Sequence, residues 1–276
     1  MNNSILVSIV MATYNSIEFL PRSIESVLEQ TFGDFEFIIV EDVSQDDTYA
    51  RLKEYRDYDR RINIIKNHRN FGLATSLNIA IDISRGQFIA RMDADDICVP
   101  HRLERQIDFL LKHPDIDVLG AGIEAINQEG CFLEYRYRPE NHAELAGRIF
   151  YENPFFHSTV IARRRFYRES GGYNARYRRC QDYDLWLRTY RTWKFHNLQE
   201  PLVRYRVRDT ASWRSVFYST FVLLNALRRE RLLTRNWWIA FRGPALKFFE
   251  KCPHSAPLEL FRGLYQRKKA LRKNMR

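Results

Sequence analysis

Gln87-Phe88-Ile89-Ala90-Arg91-Met92-Asp93-Ala94-Asp95-Asp96 runs from an apolar strand into three carboxylates within four residues. Carboxylates crowded at a strand end repel one another and are tolerated where a divalent cation or sugar hydroxyls sit among them. Magnesium or manganese is typically shared between one or two carboxylates and substrate phosphates. The stretch therefore predicts a metal-bound phosphate compound at the end of this strand. Taken alone, a D-x-D is short and common, and an acidic turn capping the next helix is the better reading. The surrounding sequence decides between them.

Working outward, strand-like and helix-like segments alternate. Residues 5–11 read as a buried strand, and Leu20, Ile24, Val27 and Leu28 form one apolar helix face. Residues 35–40 predict a second strand, 46–55 a polar helix and 62–65 a third strand. Leu73, Leu77, Ala80 and Ile81 repeat the helical stripe, with Gly86 as a stop signal. Beyond Pro100 the stripe recurs as Leu103, Ile107, Leu110 and Leu111. This alternation implies an α/β fold, a mostly parallel central sheet flanked by helices. From Asp117 the rhythm changes. Residues 118–126 and 131–137 predict a hairpin around Gln128-Glu129-Gly130, and 143–149 a short helix. Residues 158–162 predict a strand, 184–190 a helix and 202–207 a closing strand. The expected organisation is a body of residues 1–208 and a basic helical extension of residues 209–276. Within the body, residues 1–116 are expected to bind the ligand and residues 117–208 to form a second half.

Charge is divided the same way. The 276 residues carry a net charge of +10, yet residues 211–276 hold fifteen Lys and Arg against three Glu, leaving the first 210 residues slightly acidic. A basic extension predicts an anionic partner. Four cysteines, Cys98, Cys131, Cys180 and Cys252, show no C-x-x-C pairing, which argues against zinc or a disulfide framework. No apolar run reaches the roughly 18–20 residues of a membrane span, and Met1-Asn2-Asn3-Ser4 lacks the basic start of a signal peptide. A cytoplasmic location is expected.

In open α/β sheets ligands bind outside the carboxyl ends of the strands. Thr13-Tyr14-Asn15, Glu41-Asp42, Arg69-Asn70 and Asp93 to Asp96 all fall there. Tyr14 could stack on a base and Asp42 could accept from a base or ribose donor; singly, a packed turn aromatic and a helix-end carboxylate are the commoner fates. Arg69 could balance pyrophosphate charge, or be a solvated loop arginine. Asp182, in Gln181-Asp182-Tyr183-Asp184, could serve as a base for a sugar hydroxyl, or as an ordinary helix cap. His157 is a weaker candidate for a metal or acceptor contact. There is no P-loop, and Gly120-Ala121-Gly122-Ile123-Glu124-Ala125 only mimics a dinucleotide-binding loop, since no amphipathic helix follows it.

Several of these segments together resemble family 2 glycosyltransferases. They are Val7 to Asn15, Ser26 to Thr31, Ile39 to Ser44, Asn70-Phe71-Gly72-Leu73 to Asn78, Gly86 to Asp96, Pro154 to Arg164, Gly171-Gly172-Tyr173 and Gln181 to Arg188. The resemblance spans about the first 208 residues and implies the GT-A fold, a nucleotide-sugar donor, most simply a UDP-sugar, a Mn2+ or Mg2+ cofactor and inversion at the anomeric carbon. It implies that Tyr14 stacks on the base, Asp42 binds base or ribose, Asp93 contacts the ribose or metal region, Asp95 ligates the metal and Asp182 is the general base. The chain departs from the family pattern in Glu41-Asp42 for the usual paired acids, a tolerable change, in Gln181 for a glutamate beside the base, and in Arg208 where many members carry a metal-binding histidine. Water or His157 would then complete the metal shell.

In the extension, Phe217 to Leu227 is mostly apolar, and Trp237-Trp238, Phe248-Phe249 and the basic run Arg267 to Arg276 follow. Aromatic and basic residues on short helices fit in-plane association with an anionic inner-membrane surface, or helices packed on the body with a basic solvated face. With the resemblance, this predicts a lipid-linked saccharide acceptor and surface polysaccharide (O-antigen, capsule or exopolysaccharide) assembly. Three competing readings are a nucleotidyltransferase, which would need a glycine-rich basic loop after the first strand; a nucleic-acid-binding protein acting through the extension, which leaves the acidic set unexplained; and a catalytically inactive relative. No nucleic-acid partner is expected.

Overall fold

The computed structural model describes residues 6–207 and 213–230. The chain divides into two compact units, Met1–Arg208 and Asp209–Arg276.

In the first unit, β1 (Val7–Thr13), β2 (Phe35–Glu41), β3 (Ile62–Lys66) and β4 (Phe88–Arg91) pair in parallel in the order β3-β2-β1-β4. Helices α1 (Leu20–Leu28), α2 (Thr48–Tyr58), α3 (Leu73–Ile83) and α4 (Arg102–Lys112) make the crossovers. Leu20, Ile24 and Val27 of α1 and Leu103, Ile107 and Leu110 of α4 join Val7, Ile9, Met11, Phe37, Phe88 and Ala90 in one core. The alternate residues Val10, Ile38, Val40 and Ile89 are buried too, and α3 packs on β1 and β2. Burial on both faces is why these strands are continuously apolar rather than alternating. Each Leu or Ile so buried contributes about 1.5–3 kcal/mol.

Beyond β4 the sheet becomes mixed. Its order continues β4-β8-β6-β9-β5, with β5 (Ile97–Cys98), β6 (Val118–Ile126), β8 (Ile161–Arg163) and β9 (Phe195–Arg206), while β7 (Phe132–Arg136) pairs with β6. β8 is antiparallel to both β4 and β6, and β9 is parallel to β6. Three further helices, α5 (His142–Arg148), α6 (Arg164–Ser170) and α7 (Gln181–Thr189), complete the unit. Four expectations are corrected here. Residues 157–159 form a 3-10 turn rather than strand: the Thr159 hydroxyl donates to Phe156 O at 2.8 Å and accepts from Ala121 N at 3.1 Å, replacing a ladder partner. The closing strand begins at Phe195, its length hidden by Pro201 and by register shifts around Gly122. Helix α7 starts at Gln181, so Asp182 lies in its first turn. Helix α6, ended by Gly171 at φ 76°, was not expected. Gly120 and Gly122 stand inside β6; a Cβ on Gly122 would come within 2.6 Å of the Tyr137 ring.

In the second unit, α8 (Trp213–Arg229) buries Val222, Leu223, Ala226 and Leu227 and exposes Phe217 and Phe221. Among the described residues no helix is long and apolar enough to cross a membrane. Trp237-Trp238, Phe248-Phe249, the terminal basic run and Arg208 lie outside the described residues.

Candidate active site

Strands β2, β1 and β4 lie side by side, and neighbouring strands are about 4.8 Å apart. The residues that follow them, Asp42, Tyr14 and Asp93, therefore share one short edge of the sheet. The first two loops are laced together. Asn15 N donates to Ser44 Oγ at 3.0 Å, Gln45 N to Asn15 Oδ1 at 2.8 Å, and Ser16 N to Thr48 Oγ1 at 2.9 Å. Asn15 and Val43 both take positive φ, 49° and 65°. Asn tolerates this, whereas a β-branched Val stores strain there. Between these residues Tyr14 stands 45% exposed, and its ring has no ring partner among the described residues.

Asp42 is buried. Its Oδ1 accepts from Asn67 Nδ2 at 2.7 Å and Phe71 N at 2.9 Å, and its Oδ2 from Gly72 N at 2.8 Å. Asn70 Nδ2 reaches the Asp42 carbonyl at 3.1 Å. Asp42 thus shapes the loop entering α3, and three of about four lone-pair positions on its carboxylate are used. Arg69 lies over the Phe71 ring, 4.8 Å from its centroid.

The acidic loop is the most heavily braced segment of the edge. Arg91, 1% exposed, ion-pairs with Asp93 and donates to Ser158 Oγ at 2.8 Å. Ser158 in turn bonds Asp93 Oδ2 at 3.0 Å and the Asp96 carboxylate. Ser23 Oγ donates to Asp93 O at 2.9 Å. From the end of β9, Arg206 N donates to Asp96 Oδ1 at 2.7 Å and Arg206 Nε to Asp95 O at 3.0 Å. The same guanidinium holds the carbonyls of Asn127 (2.8 Å) and Gln128 and lies over Phe19. Burial pushes the Asp93 carboxyl up, but the Arg91 guanidinium and hydrogen bonds outweigh it and hold it below the usual range. Burial, with Asp93 and Asp95 alongside, pushes Asp96 well above it.

Asp93, Asp95 and Asp96 bring one ligand oxygen each within 4.8 Å of one another. That set of hard oxygen donors fits a divalent cation such as Mn2+ or Mg2+. Asp93 and Asp96 are tied to Arg91, Ser158 and Arg206, and Asp95, half-buried, completes the acidic set. His157 does not join the set. Its Nε2 meets Tyr173 Oη at 2.8 Å, and burial and the nearby Arg91 push it down to about 4.

Asp182 accepts from Asn153 Nδ2 at 2.7 Å. Its charge acts on His157 and Tyr205, as does that of Asp93, so the two carboxylates belong to one electrostatic neighbourhood. An acid in a helix first turn is favoured by the helix dipole, and Cys180, at φ 58°, sets the entry into that turn. Arg138, bonded to Glu152 at 2.7 Å and stacked over Phe156, walls the side of β6 and β9. Arg91, Ser158 and Arg206 were not expected from the sequence. For Arg91 a signal existed: a lone guanidinium inside an apolar strand needs a buried partner.

The sequence matches the family described as Glycosyl transferase family 2 over residues 8–172. It is 36% identical over 248 residues to an uncharacterized glycosyltransferase, MJ1057, of Methanocaldococcus jannaschii, covering 86% of this chain and 85% of that one. It is 34% identical to the O-antigen biosynthesis glycosyltransferase WbnJ of Escherichia coli, covering 76% and 83%. Among solved structures, S. aureus TarS 1–349 in complex with UDP-GlcNAc superposes with a TM-score of 0.66 at 19% identity, covering 88% of this chain and 73% of that one.

Proposed function

The chain belongs to glycosyl transferase family 2 and is a glycosyltransferase, and from that premise we propose that it moves a hexose or N-acetylhexosamine from a UDP-sugar, with inversion, to a hydroxyl of a lipid-linked saccharide. Surface polysaccharide assembly is its setting, in keeping with the O-antigen relative. The observation that carries the reading is the placement of Tyr14, Asp42 and the braced acidic loop along one sheet edge, with Asp182 in the same field as Asp93.

Tyr14 offers an exposed ring for a base to stack on. The remaining lone pair of the Asp42 carboxylate can accept a base N–H, and the bonds from Phe71 and Gly72 keep it aimed. Asp95, with Asp93, would hold Mn2+ or Mg2+, which supplies positive charge to a departing diphosphate. Arg91, Ser158 and Arg206 fix the loop, so little reorganisation is needed at the moment of transfer. Asp182, oriented by Asn153, accepts the proton of the acceptor hydroxyl as that oxygen attacks the anomeric carbon from the face opposite the diphosphate. A single displacement inverts the centre. The basic residues 211–276 would hold the enzyme on the anionic inner face of the membrane, where a lipid-linked acceptor is found.

Binding and hydrolysis of a panel of nucleotide sugars with manganese, wild type against Asp95→Ala, tests this. Sugar-selective, manganese-dependent binding lost in the variant is expected. A folded wild type that binds no nucleotide sugar overturns the proposal. Co-sedimentation with anionic vesicles, with and without residues 211–276, tests the membrane step; equal binding to neutral vesicles would refute it.

A further inference from the structure

Between the Gly171-Gly172 turn and α7 lies Asn174-Ala175-Arg176-Tyr177-Arg178-Arg179-Cys180, three guanidiniums and no acid in seven residues. Both ends of this loop are fixed. At one, Arg188 donates to Ser170 O at 2.9 Å and Gly172 O at 2.6 Å, and Asn78 pairs with Tyr173 N and O at 2.9 and 2.8 Å. At the other, Cys180 O accepts from Asp184 N at 3.0 Å, closing the first turn that carries Asp182. In the middle Tyr177 is buried, its N–H on Asn174 O at 3.1 Å, and Arg176 N donates to Asn174 Oδ1 at 3.1 Å. The three arginines point the other way and are exposed. Neither Arg176 nor Arg178 makes an ion pair with any described residue.

An anchored loop that holds unpaired guanidiniums in water beside a carboxylate is an anion-binding device. Planar forks of this kind match phosphate oxygens two at a time. Arg178 is four residues from Asp182, so their Cα atoms are at most about 14 Å apart along the chain. We infer that Arg176 and Arg178 bind the phosphate groups of the acceptor, the diphosphate that joins its saccharide to lipid. The inference rests on the proposed function, in which Asp182 marks the acceptor hydroxyl. In that proposal the donor diphosphate is held at the acidic loop after β4. One sugar ring between an attacked hydroxyl and an anomeric diphosphate puts that diphosphate within the span of the loop.

The test measures binding of octyl diphosphate, below its micellar concentration, to the full chain with the donor site saturated by UDP and manganese. Octyl glucoside serves as the neutral control and inorganic pyrophosphate as the lipid-free one. Arg176→Ala/Arg178→Ala is expected to weaken octyl diphosphate by about tenfold or more, with UDP affinity and melting temperature unchanged, and the double lysine variant to recover some of the loss. Octyl glucoside affinity should not move. An unaltered octyl diphosphate affinity in the alanine variant overturns the inference. So does pyrophosphate binding as tightly as octyl diphosphate, which would mark a general anion site. Failure of the wild type to bind UDP would instead count against the proposed function, which separates the two.

Discussion

Replacing Arg91 by methionine keeps an unbranched apolar stem and removes the guanidinium with its charge. Arg91 is all but inaccessible to water and spans Asp93 and Ser158. Without it Asp93 is left facing Asp96 and Asp95, their oxygens within 4.8 Å, with no guanidinium between them. Removing one partner of a buried ion pair costs about 3–5 kcal/mol. The Asp93 side chain keeps 24% of its accessibility, so water screens some of this and the low end, about 3 kcal/mol, is expected. In a unit of this size that lowers the melting temperature by about 6–12 °C. Urea and thermal melts at pH 7 measure it. Adding Asp93→Asn should recover much of the loss, giving a coupling of about 2 kcal/mol in the double-mutant cycle. The sign with pH is also fixed. The folded carboxyl of Asp93 lies below its ordinary value, so the stability it lends is present above the unfolded value and lost as pH falls through the folded one. The variant lacks that contribution, so its deficit should narrow on acidification. A loss under about 1 kcal/mol, or a coupling near zero, would refute the account of the acidic loop.

Three further outcomes are expected. Asp182→Asn should lower kcat for sugar transfer by about 10²–10⁴-fold while leaving UDP affinity within about twofold; a parallel loss of UDP binding would show that Asp182 holds the donor instead. His157 is pushed by burial and Arg91 down to about 4 from its ordinary 6.5, so its stabilising contribution is complete above pH 6.5 and disappears as pH falls toward 4. The drop is up to about 3 kcal/mol, and melts of His157→Gln should be flatter across that window; an unchanged slope would assign the acid sensitivity elsewhere. Val43→Gly should relieve a left-handed valine, worth about 1–2 kcal/mol, against about 0.4–1 kcal/mol of added freedom in the unfolded chain. Stability is then unchanged or slightly higher, and a loss above about 1 kcal/mol in urea melts would mean that the loop stores no such strain.

The parallel half of the sheet was legible because α1, α3 and α4 write apolar stripes and the strands are largely apolar, Ile62–Lys66 least so. α1, α3 and α4 begin and end close to where Leu20, Leu73 and Leu103 and their repeats place them. The mixed half was less so. In α6 only Phe166 and Tyr167 of seven residues are buried hydrophobics, too few to set a period. In β9 the run Phe195–Arg206 alternates irregularly because its pairing with β6 shifts register twice. The turn at His157–Thr159 depends on a hydroxyl bonded to a residue 38 positions away. The candidate site divides in the same manner. Aspartates at strand ends are local signals, whereas Ser158 and Arg206 act across separations of 62 to 111 residues, which only the tertiary fold reveals.

Those separations bear on how the protein is made. The acidic loop is synthesised before residue 100, yet Arg206, one of its braces, is the last residue of the final strand of the body. A nascent chain halted between Ser158 and β9 carries all three aspartates, the parallel strands and the Ser158 contact to Asp96, but not the Arg206 bonds to Asp95 and Asp96. Donor turnover is therefore expected to switch on only with completion of the body, so a ribosome-bound fragment would not spend sugar nucleotide. Proteolytic clipping within β9 would silence the finished enzyme without touching a single acid.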